Sequence, residues 1–252
     1  MVTRLLLEYD GTRFNGWARQ PGQRTVQGEL EQALGTLLPE PVDLTVAGRT
    51  DRGVHAWGQV ASYEGPPADL RGVNALTPAD ISVVEIARAP EGFTARYGAR
   101  SRTDCYRIHT RRSPSPFERE RALHWPYRVD VAALHECARL LHGEHDFTAF
   151  TPTETDHVRF ERVVLGAEWR ELPEHLELWI TADAFMRHMN RTLVGTMLQV
   201  AGGRRSLEDF AALLEGRHRK DAGPTAPAHG LYFASVDYDA AGGVGSAPAP
   251  AE

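Results

Sequence analysis

Residues 42–63 read VDLTVAGRTDRGVHAWGQVASY and place a glycine-bounded loop between two strand-like runs. The two runs, 42–46 and 58–63, are rich in β-branched and aromatic residues, which favour strands. The loop, 48–55, therefore joins two predicted strands. Because binding and catalytic groups often lie on loops that a rigid sheet holds, this loop is a candidate functional site.

The loop carries one acidic residue, Asp51, flanked by Arg49 and Arg52. A nearby guanidinium keeps a carboxylate ionised, as a nucleophile or a general base requires. Taken alone the pattern is weak, since an aspartate in a glycine-bounded loop is more often a turn or capping residue. The local sequence leaves both interpretations open.

Predicted strands and helices extend outward from this loop in both directions. Apolar runs predict further strands at residues 4–9, 81–87, 106–109, 160–169, 175–182 and 230–238. Apolar stripes at helical spacing predict helices at residues 25–37, 131–141, 186–200 and 206–214. Along the chain the predicted strands and helices are mixed, but they do not alternate strictly one by one. This order indicates an α+β or mixed α/β class.

The predicted elements divide the chain into two halves. Residues 1–100 form an N-terminal half that carries the loop, and residues 101–239 form a C-terminal half. No linker-like stretch separates them, so we expect the halves to share one continuous sheet. Residues 240–252 are mainly Ala, Gly and Pro, with little to bury, and are predicted to be disordered.

Composition excludes several classes of protein. The 252 residues are 42% hydrophobic and 25% charged, as in a soluble globular domain of enzyme size. No run approaches the roughly 20 apolar residues that span a bilayer, and Arg4, Glu8 and Asp10 interrupt any secretory signal. We therefore expect a cytoplasmic protein with no membrane contact. Cys105 and Cys137 are too few for a disulfide framework and wrongly spaced for a zinc site.

Charge is distributed unevenly along the chain. The formal net charge of −6 argues against a uniformly basic nucleic-acid binder. Residues 100–121 nevertheless hold seven arginines against three acids, and residues 187–220 hold six arginines and one lysine against three acids. Arginine-rich surfaces are often only solvated faces, so these windows favour a polyanionic ligand modestly.

Motifs of common enzyme classes are missing from the sequence. There is no P-loop, no dinucleotide-binding G-x-G-x-x-G after a strand and no G-x-S-x-G nucleophile elbow. Residues 142–146, HGEHD, could suggest a metal site, but no matched further ligand is evident. We expect structural or capping roles for them and no metal centre.

Ordered segments along most of the chain carry a family resemblance. In one-letter code, with x for any residue, they are YDGTxFxGW (9–17), QP (20–21), RTVQGxLE (24–31), AGRTDxGVHA (47–56), GVNA (72–75), FxAR (93–96), HDFTxF (145–150), FxRHMxR (185–191) and AGPTAPxxGLY (222–232). Together they closely resemble the tRNA pseudouridine synthase A family. The matches run in order from Tyr9 to Tyr238, so chance agreement is negligible.

The resemblance implies a fold and a reaction. The fold is α+β: two ferredoxin-like, RRM-like halves joined into one continuous, mixed, mainly antiparallel sheet with helices packed on it. The reaction isomerises uridine to pseudouridine at tRNA positions 38, 39 or 40 in the anticodon stem-loop, without a cofactor. These enzymes are homodimers, bind tRNA and flip the target base out of the stack.

The resemblance also assigns roles to residues. Asp51 becomes the catalytic carboxylate, which could attack the sugar, attack the base or remove the C2′ proton. Arg191 corresponds to an arginine that pairs with the aspartate, and Arg49 lies beside the flipped nucleotide. Arg187 is four residues before Arg191 in a predicted helix, so we expect both arginines on one face, binding substrate.

Three positions depart from the family pattern. The first tyrosine of an Arg-x-Tyr-x-Tyr segment, which usually packs on the base, is Asp104 here. Base stacking contributes about 1–3 kcal/mol, which an aspartate does not supply. Tyr106 either takes this place, two residues along the same strand face, or packs in the core. Arg52 and Asn190 stand where the family more often has small or apolar residues.

Two rival functions follow from these departures and from the local sequence. Asp104 in place of the aromatic residue suggests a catalytically impaired RNA-binding protein of the same fold, although Asp51 and Arg191 are retained. A metal-dependent nuclease would need several carboxylates, and none lies close to Asp51 in the sequence.

Overall fold

The computed structural model describes residues 1–155 and 157–238. The described chain folds into two compact units, one of Met1–Arg102 with Tyr232–Tyr238, and one of Thr103–Leu231. The sequence placed the division near residue 100 and assigned the last strand to the second half, whereas that strand belongs to the first unit. The predicted disordered tail, 240–252, lies outside the described residues.

Ten strands and five α-helices are described. In chain order they are β1 (Val2–Tyr9), α1 (Val26–Leu37), β2 (Thr45–Val46), β3 (His55–Glu64), α2 (Leu70–Leu76), β4 (Ile81–Ala89), β5 (Ala99–His109), β6 (Leu123–His124), α3 (Val131–Leu140), β7 (Gly143–Asp146), β8 (Glu161–Leu172), β9 (His175–Ala182), α4 (Met189–Ala201), α5 (Leu207–Ala212) and β10 (Leu231–Tyr238).

The strand order is β4-β1-β3-β10-β5-β9-β8-β7, with β2 paired to β3 and β6 paired to β5. The order passes through β5, whose first four residues belong to the first unit and the rest to the second. The sheet is mixed: β10 runs parallel to β3 and β6 parallel to β5, whereas β1 pairs antiparallel with both β3 and β4. The predicted α+β class with one mixed sheet is confirmed.

The first unit packs α1 and β1 around a shared apolar core. The Thr25 side chain accepts a hydrogen bond from the Gly28 N–H and so begins the helix. Val26, Leu30 and Leu34 on one stripe of α1 are fully buried. The predicted helix, its cap and its inward face are confirmed.

The second unit contains the antiparallel strands β7, β8 and β9 and three of the helices. The Asp130 side chain accepts from Ala133 N–H at the start of α3, and the Ser206 side chain accepts from Asp209 N–H at the start of α5. Both helices are confirmed where they were predicted. The predicted third helix is also present, as α4, which ends at Gly202.

Several boundaries differ from the prediction. Helix α2 and the short strands β6 and β7 were not predicted, and β2 covers only two of the five residues expected to be strand. Helix α4 begins at Met189, because His188 takes the left-handed conformation with φ of 63°. Arg187 therefore precedes the helix, and the prediction that it shares a helical face with Arg191 was wrong.

Both cysteines are buried and free. Burial raises the pKa of Cys105 well above its ordinary value and the pKa of Cys137 to about 12. Both thiols are therefore protonated at neutral pH and act as small apolar side chains. Among the helices that the structure describes, none is both long enough and apolar enough to cross a lipid bilayer.

His109, at the end of β5, is an uncharged residue buried in the second unit. It is 1% exposed, and neither ring nitrogen has a hydrogen-bond partner among the described residues. Burial lowers its pKa below the ordinary 6.5, and the nearby His175 and Arg111 lower it further, opposed by Glu174 and Glu118. The fold therefore holds His109 in its neutral form.

Replacing His109 with Leu is expected to make the protein less sensitive to acid. The unfolded chain binds a proton at this residue more readily than the folded chain does, so stability is present above about pH 6.5 and falls as the pH drops below it. Thermal unfolding between pH 7.5 and 5 measures the effect. The His109→Leu variant should lose less melting temperature than wild type, whereas His142→Leu, at an exposed histidine, should follow wild type.

Candidate active site

Backbone hydrogen bonds hold the loop on both sides of Asp51. The Trp17 N–H donates to Thr50 O at 3.0 Å, immediately before Asp51. The Val54 N–H donates to Asp51 O at 3.1 Å and closes the turn that follows. The main chain that carries the carboxyl group is thus held by one hydrogen bond from outside the loop, from Trp17, and by one within it, from Val54.

Two glycines allow the chain before α1 to lie against this loop. A Cβ on Gly11 would sit 1.9 Å from Val54 O, and one on Gly16 would sit 2.7 Å from Thr50 O. Gly16 also has a φ of +87°, which L side chains rarely adopt. At both points one backbone packs directly on another, with no space for a side chain.

Buried side chains anchor the residues on either side of Arg49. Gln59, fully buried on β3, donates from Nε2 to Gly48 O at 2.8 Å and to the Tyr9 hydroxyl at 3.3 Å. The Tyr9 hydroxyl also lies 2.8 Å from Thr50 Oγ1. Arg49 itself is exposed, so it projects from a short segment whose neighbours are tied to the sheet.

Arg102, the arginine of the Arg-x-Tyr-x-Tyr segment, supports the start of the loop. Its Nε and Nη2 both donate to Ala47 O at 3.1 Å, and Nη2 donates to Arg96 O at 2.7 Å. A guanidinium that satisfies two carbonyl oxygens in this way fixes the main chain just before 48–55.

His55, where β3 begins, joins the far end of the loop to the chain after β1. Its ring is 2% exposed, and its Nδ1 accepts from the Gly11 N–H at 3.1 Å. The Asp10 Oδ1 atom lies 3.3 Å from the same nitrogen, and that contact becomes an ion pair only if the ring is protonated.

A stack of three rings secures the same end of the loop. Tyr232 on β10 stacks on His55, with ring centroids 4.7 Å apart, and on Trp57, with centroids 4.1 Å apart. Parallel pairing of β10 with β3 sets Tyr232 opposite His55. Residues from three separate stretches of the chain therefore fix one loop.

The loop presents its charged side chains while its main chain stays fixed. Asp51 is partly exposed, and Arg49 and Arg52 are exposed. A partly exposed carboxyl group on a fixed backbone, with an exposed arginine on either side in the sequence, suits action on a large anionic substrate.

Arg191 lies in the first turn of α4 in the second unit. Its Nε donates to Ala226 O at 2.8 Å, and the Ala226 N–H donates to Arg191 O at 3.0 Å. The hydroxyl oxygens of Thr192 and Thr225 lie 3.2 Å apart and join the same two segments. The start of α4 and the chain before β10 therefore hold each other.

Tyr106 packs in the interior of the second unit. It is 1% exposed, its hydroxyl donates to Pro227 O at 2.9 Å, and its ring lies against Gly230. Burial raises its pKa above the ordinary value, and the nearby charge of Arg191 opposes that rise. Of the two alternatives for Tyr106, stacking on the base or packing in the core, the structure shows packing in the core. In this conformation its ring has no surface on which a base could stack.

Arg187 and Asp104, both in the second unit, differ in exposure. Arg187 is exposed, and its backbone N–H donates to His157 Nε2 at 3.3 Å. Asp104, at the position of the expected aromatic residue, is buried and accepts a hydrogen bond from Asn190.

The structure sorts the predicted site residues into two groups. Asp51 and Arg49 lie on one loop of the first unit, and Arg191 and Tyr106 lie near each other in the second unit, both bonded to the segment 226–227. The supporting roles of three residues were not predicted from the sequence, namely Gln59, Arg102 and Tyr232, although the last two belong to segments that carry the family resemblance. Their contacts reach across strands, and no local spacing signals them.

Residues 142–146 have structural roles. The Asp146 carboxyl accepts from the Thr148 N–H at 2.8 Å and from its hydroxyl at 2.6 Å, and His145 Nε2 lies 3.2 Å from His142 O. Of the predicted structural or capping roles, these local hydrogen bonds agree with the structural one. Within 1–155 and 157–238, no group of three or more His, Cys, Asp or Glu side chains is arranged to hold a metal ion.

Comparisons with known proteins find one family, both by a family model and by relatives that match nearly the whole chain. A family model described as tRNA pseudouridine synthase matches residues 137–239. A protein named tRNA pseudouridine synthase A from Bacillus subtilis (strain 168) is 39% identical over 246 residues, which cover 95% of this chain and all of that protein. A protein of the same name from Paramagnetospirillum magneticum is 41% identical over 246 residues, covering 95% and 96% of the two chains.

Likeness to solved structures is lower. One chain of a crystal structure of a Cbf5-Nop10-Gar1 complex matches 91% of this chain and 57% of its own length. The TM-score is 0.40 at 9% identity, below the level that indicates a shared fold.

Substituting Gly11 with Ala is expected to loosen the loop. The added methyl would meet Val54 O at 1.9 Å, and overpacking of this kind costs about 1–3 kcal/mol. Gly35→Ala is the matched control, since Gly35 lies exposed in α1 with nothing within 4 Å and alanine there adds about 0.5–1 kcal/mol of helix stability. Calorimetry should show opposite shifts in melting temperature, and shifts of the same sign would contradict the close approach.

Proposed function

Because the chain belongs to the tRNA pseudouridine synthase A family, we propose that it isomerises uridine to pseudouridine in tRNA at positions 38, 39 or 40 of the anticodon stem-loop. It is an RNA pseudouridine synthase, an isomerase that modifies uridine in tRNA. The observation that carries the proposed site is the loop of Asp51, a partly exposed carboxyl group on an anchored backbone between two arginines.

The reaction rearranges one nucleotide without changing its mass. The bond between C1′ and N1 breaks, the base turns, and C1′ bonds to C5; the proton on C5 leaves and N1 gains one. Asp51 begins this by attacking C1′ of the sugar, attacking the base or removing the C2′ proton. Each route needs an ionised carboxylate held close to the nucleotide, which a fixed loop backbone favours.

Recognition requires the target base to leave the RNA stack, since a stacked and paired uridine hides the bond to be cut. We assign Arg49 to a position beside the flipped nucleotide, which agrees with its exposure on the loop. Arg191 is assigned to substrate binding, because it matches the arginine that pairs with the catalytic aspartate in the family. Arg187 is exposed and is assigned to the RNA backbone.

Exposed arginines in the second unit suit the rest of the tRNA. Residues 111, 112, 119 and 121 are exposed arginines in the segment between β5 and β6. Arginines of this kind bind phosphates and position an RNA without reading its sequence. From the family resemblance we also propose a cytoplasmic homodimer, working without a cofactor, in which one tRNA contacts both protomers.

A second candidate function is RNA binding without catalysis. The observation that favours it is Asp104, a buried acid where the family places the ring that packs on the base. Retention of Asp51 and Arg191 favours the synthase.

Changing Asp51 to Asn is expected to abolish the reaction while leaving tRNA binding intact. The amide keeps the shape of the side chain but is neither a nucleophile nor a base. The measurement is tritium release from unmodified tRNA labelled at C5 of uridine, without added metal. Asp43→Asn, at an exposed acid just before β2, is the matched control and should release tritium at the wild-type rate.

Other outcomes of this assay separate the rival functions. Intact tRNA bound by wild type with no tritium released would support the binding protein. Shortened tRNA that appears only when metal is added would support a nuclease.

Changing Tyr106 to Phe is expected to leave the reaction rate within about threefold of wild type, because the cost is one buried hydrogen bond of about 0.5–1.5 kcal/mol. Tyr106→Ala removes the whole ring and should destabilise the protein by about 3–5 kcal/mol. Melting temperature and single-turnover rate are measured for both variants. A Phe variant of normal stability that is strongly impaired would show that the hydroxyl has a role in the reaction.

A further inference from the structure

Two buried polar side chains of the second unit contact each other where β5 faces the start of α4. Asp104 is 8% exposed and Asn190 is 3% exposed. Nδ2 of Asn190 donates to Oδ2 of Asp104 at 2.7 Å. This hydrogen bond joins residues that are 86 positions apart in the sequence.

These two residues are also two of the three departures from the family pattern. An apolar side chain opposite Asp104 would leave a buried carboxyl group without this donor. An aromatic ring opposite Asn190 would leave a buried amide without this acceptor. Because buried polar groups are costly when unmatched, the hydrogen bond between these two residues offsets part of the cost of burying both side chains.

The pair lies at a helix end that has no cap of its own. The N-cap residue of α4, His188, has a left-handed backbone and makes no side-chain capping bond, and the first turn of α4 contains no acidic residue. Asp104, on the neighbouring strand, contacts this first turn through Asn190.

Arg191 follows Asn190 directly in the same turn. Its main chain and Nε are bonded to Ala226 on one side, and Asn190 is bonded to Asp104 on the other. A helical turn held by side-chain bonds to two different segments has little freedom to rotate or shift. The turn that carries Arg191 is therefore anchored to β5 as well as to the chain before β10.

We propose that Asp104 and Asn190 are positioning residues that set the place of Arg191 for the reaction. The inference rests on the proposed function, because it is there that Arg191 is assigned to the substrate. The pair takes over the position of an aromatic residue but acts through the arginine and makes no contact with the base.

The test measures single-turnover rate and tRNA dissociation constant separately, for wild type and for Asn190→Leu. A misplacement near 1 Å costs on the order of 100-fold in rate, so the variant should lose about 10- to 100-fold. Its dissociation constant should change by less than about threefold, since the phosphate contacts remain. The conservative variant Asp104→Asn keeps a side-chain oxygen that can accept the hydrogen bond from Asn190. It should therefore keep most of the wild-type rate.

A second measurement asks whether the pair acts through Arg191. Residues that act as a unit have non-additive effects. In an Arg191→Ala background, Asn190→Leu should therefore lower the rate by less than about twofold further. A full 10- to 100-fold further loss would overturn the proposal.

Thr103→Val is the matched control. Thr103 precedes Asp104 on β5, so its side chain points to the opposite face of that strand. Its hydroxyl oxygen lies 2.8 Å from the hydroxyl oxygen of Thr181 on β9. The variant loses a hydrogen bond from the same strand and should keep the wild-type rate. An equal loss of rate would mean that β5 is merely loosened, and the proposal would fail.

A double variant covers the case in which Asn190→Leu does not fold. Asp104→Leu with Asn190→Leu removes both buried polar groups, which restores stability relative to either single change. Its rate should stay low, because an apolar contact is not directional. A double variant that folds and reacts at the wild-type rate would overturn the proposal.

The remaining outcomes separate this inference from the proposed function. A wild-type protein that releases no tritium from unmodified tRNA would contradict the function itself. An active wild type matched in rate by Asn190→Leu would overturn only the positioning role. A loss confined to the dissociation constant would mean that the pair contacts RNA directly, and would also overturn it.

Discussion

The site depends on a main chain that is packed against another main chain. The loop 48–55 has few buried side chains of its own, so apolar burial does little to fix it. Contact with Gly11 and Gly16 and hydrogen bonds from Trp17 and Gln59 fix it instead. Such contacts tolerate little displacement, because interiors are close-packed and a carbonyl oxygen accepts only from a limited range of directions. A carboxyl group carried in this way is positioned before any substrate arrives, which suits the catalytic role proposed for Asp51.

Much of the fold was predictable because its signals are local. Helices α1, α3 and α5 each begin after a side chain that caps the helix, so sequence spacing located them within one or two residues. Helix α2 escaped because it is seven residues long and buries only Val73. Strand β7, formed from polar residues, has no apolar run and exists through its pairing with β8. The start of α4 was misplaced because His188 has a left-handed backbone, which an ordinary side chain rarely adopts and which no local pattern reports.

The site was predictable to a different degree. Asp51 could be selected only through an ordered series of segments, since its immediate neighbours equally suit a turn. Once the series identified the loop, strand predictions on both sides located it correctly. What supports the loop could not be predicted: Gln59 and Tyr232 act across strands, and their partners lie far away in the sequence. The contact between Asp104 and Asn190 has the same origin, because two departures in sequence became one interaction only when the chain was folded.

Of the strands that the structure describes, β10, which completes the first unit, is synthesised last. Residues 103–231, the second unit, leave the ribosome before Tyr232 does, and β3 has no parallel neighbour at His55 until then. At about 5–20 residues per second, translation of that unit delays the event by roughly ten seconds. During this interval a nascent chain exposes an unpaired strand edge next to the loop of Asp51. The loop therefore acquires Tyr232 as its aromatic neighbour only after the whole second unit has been translated.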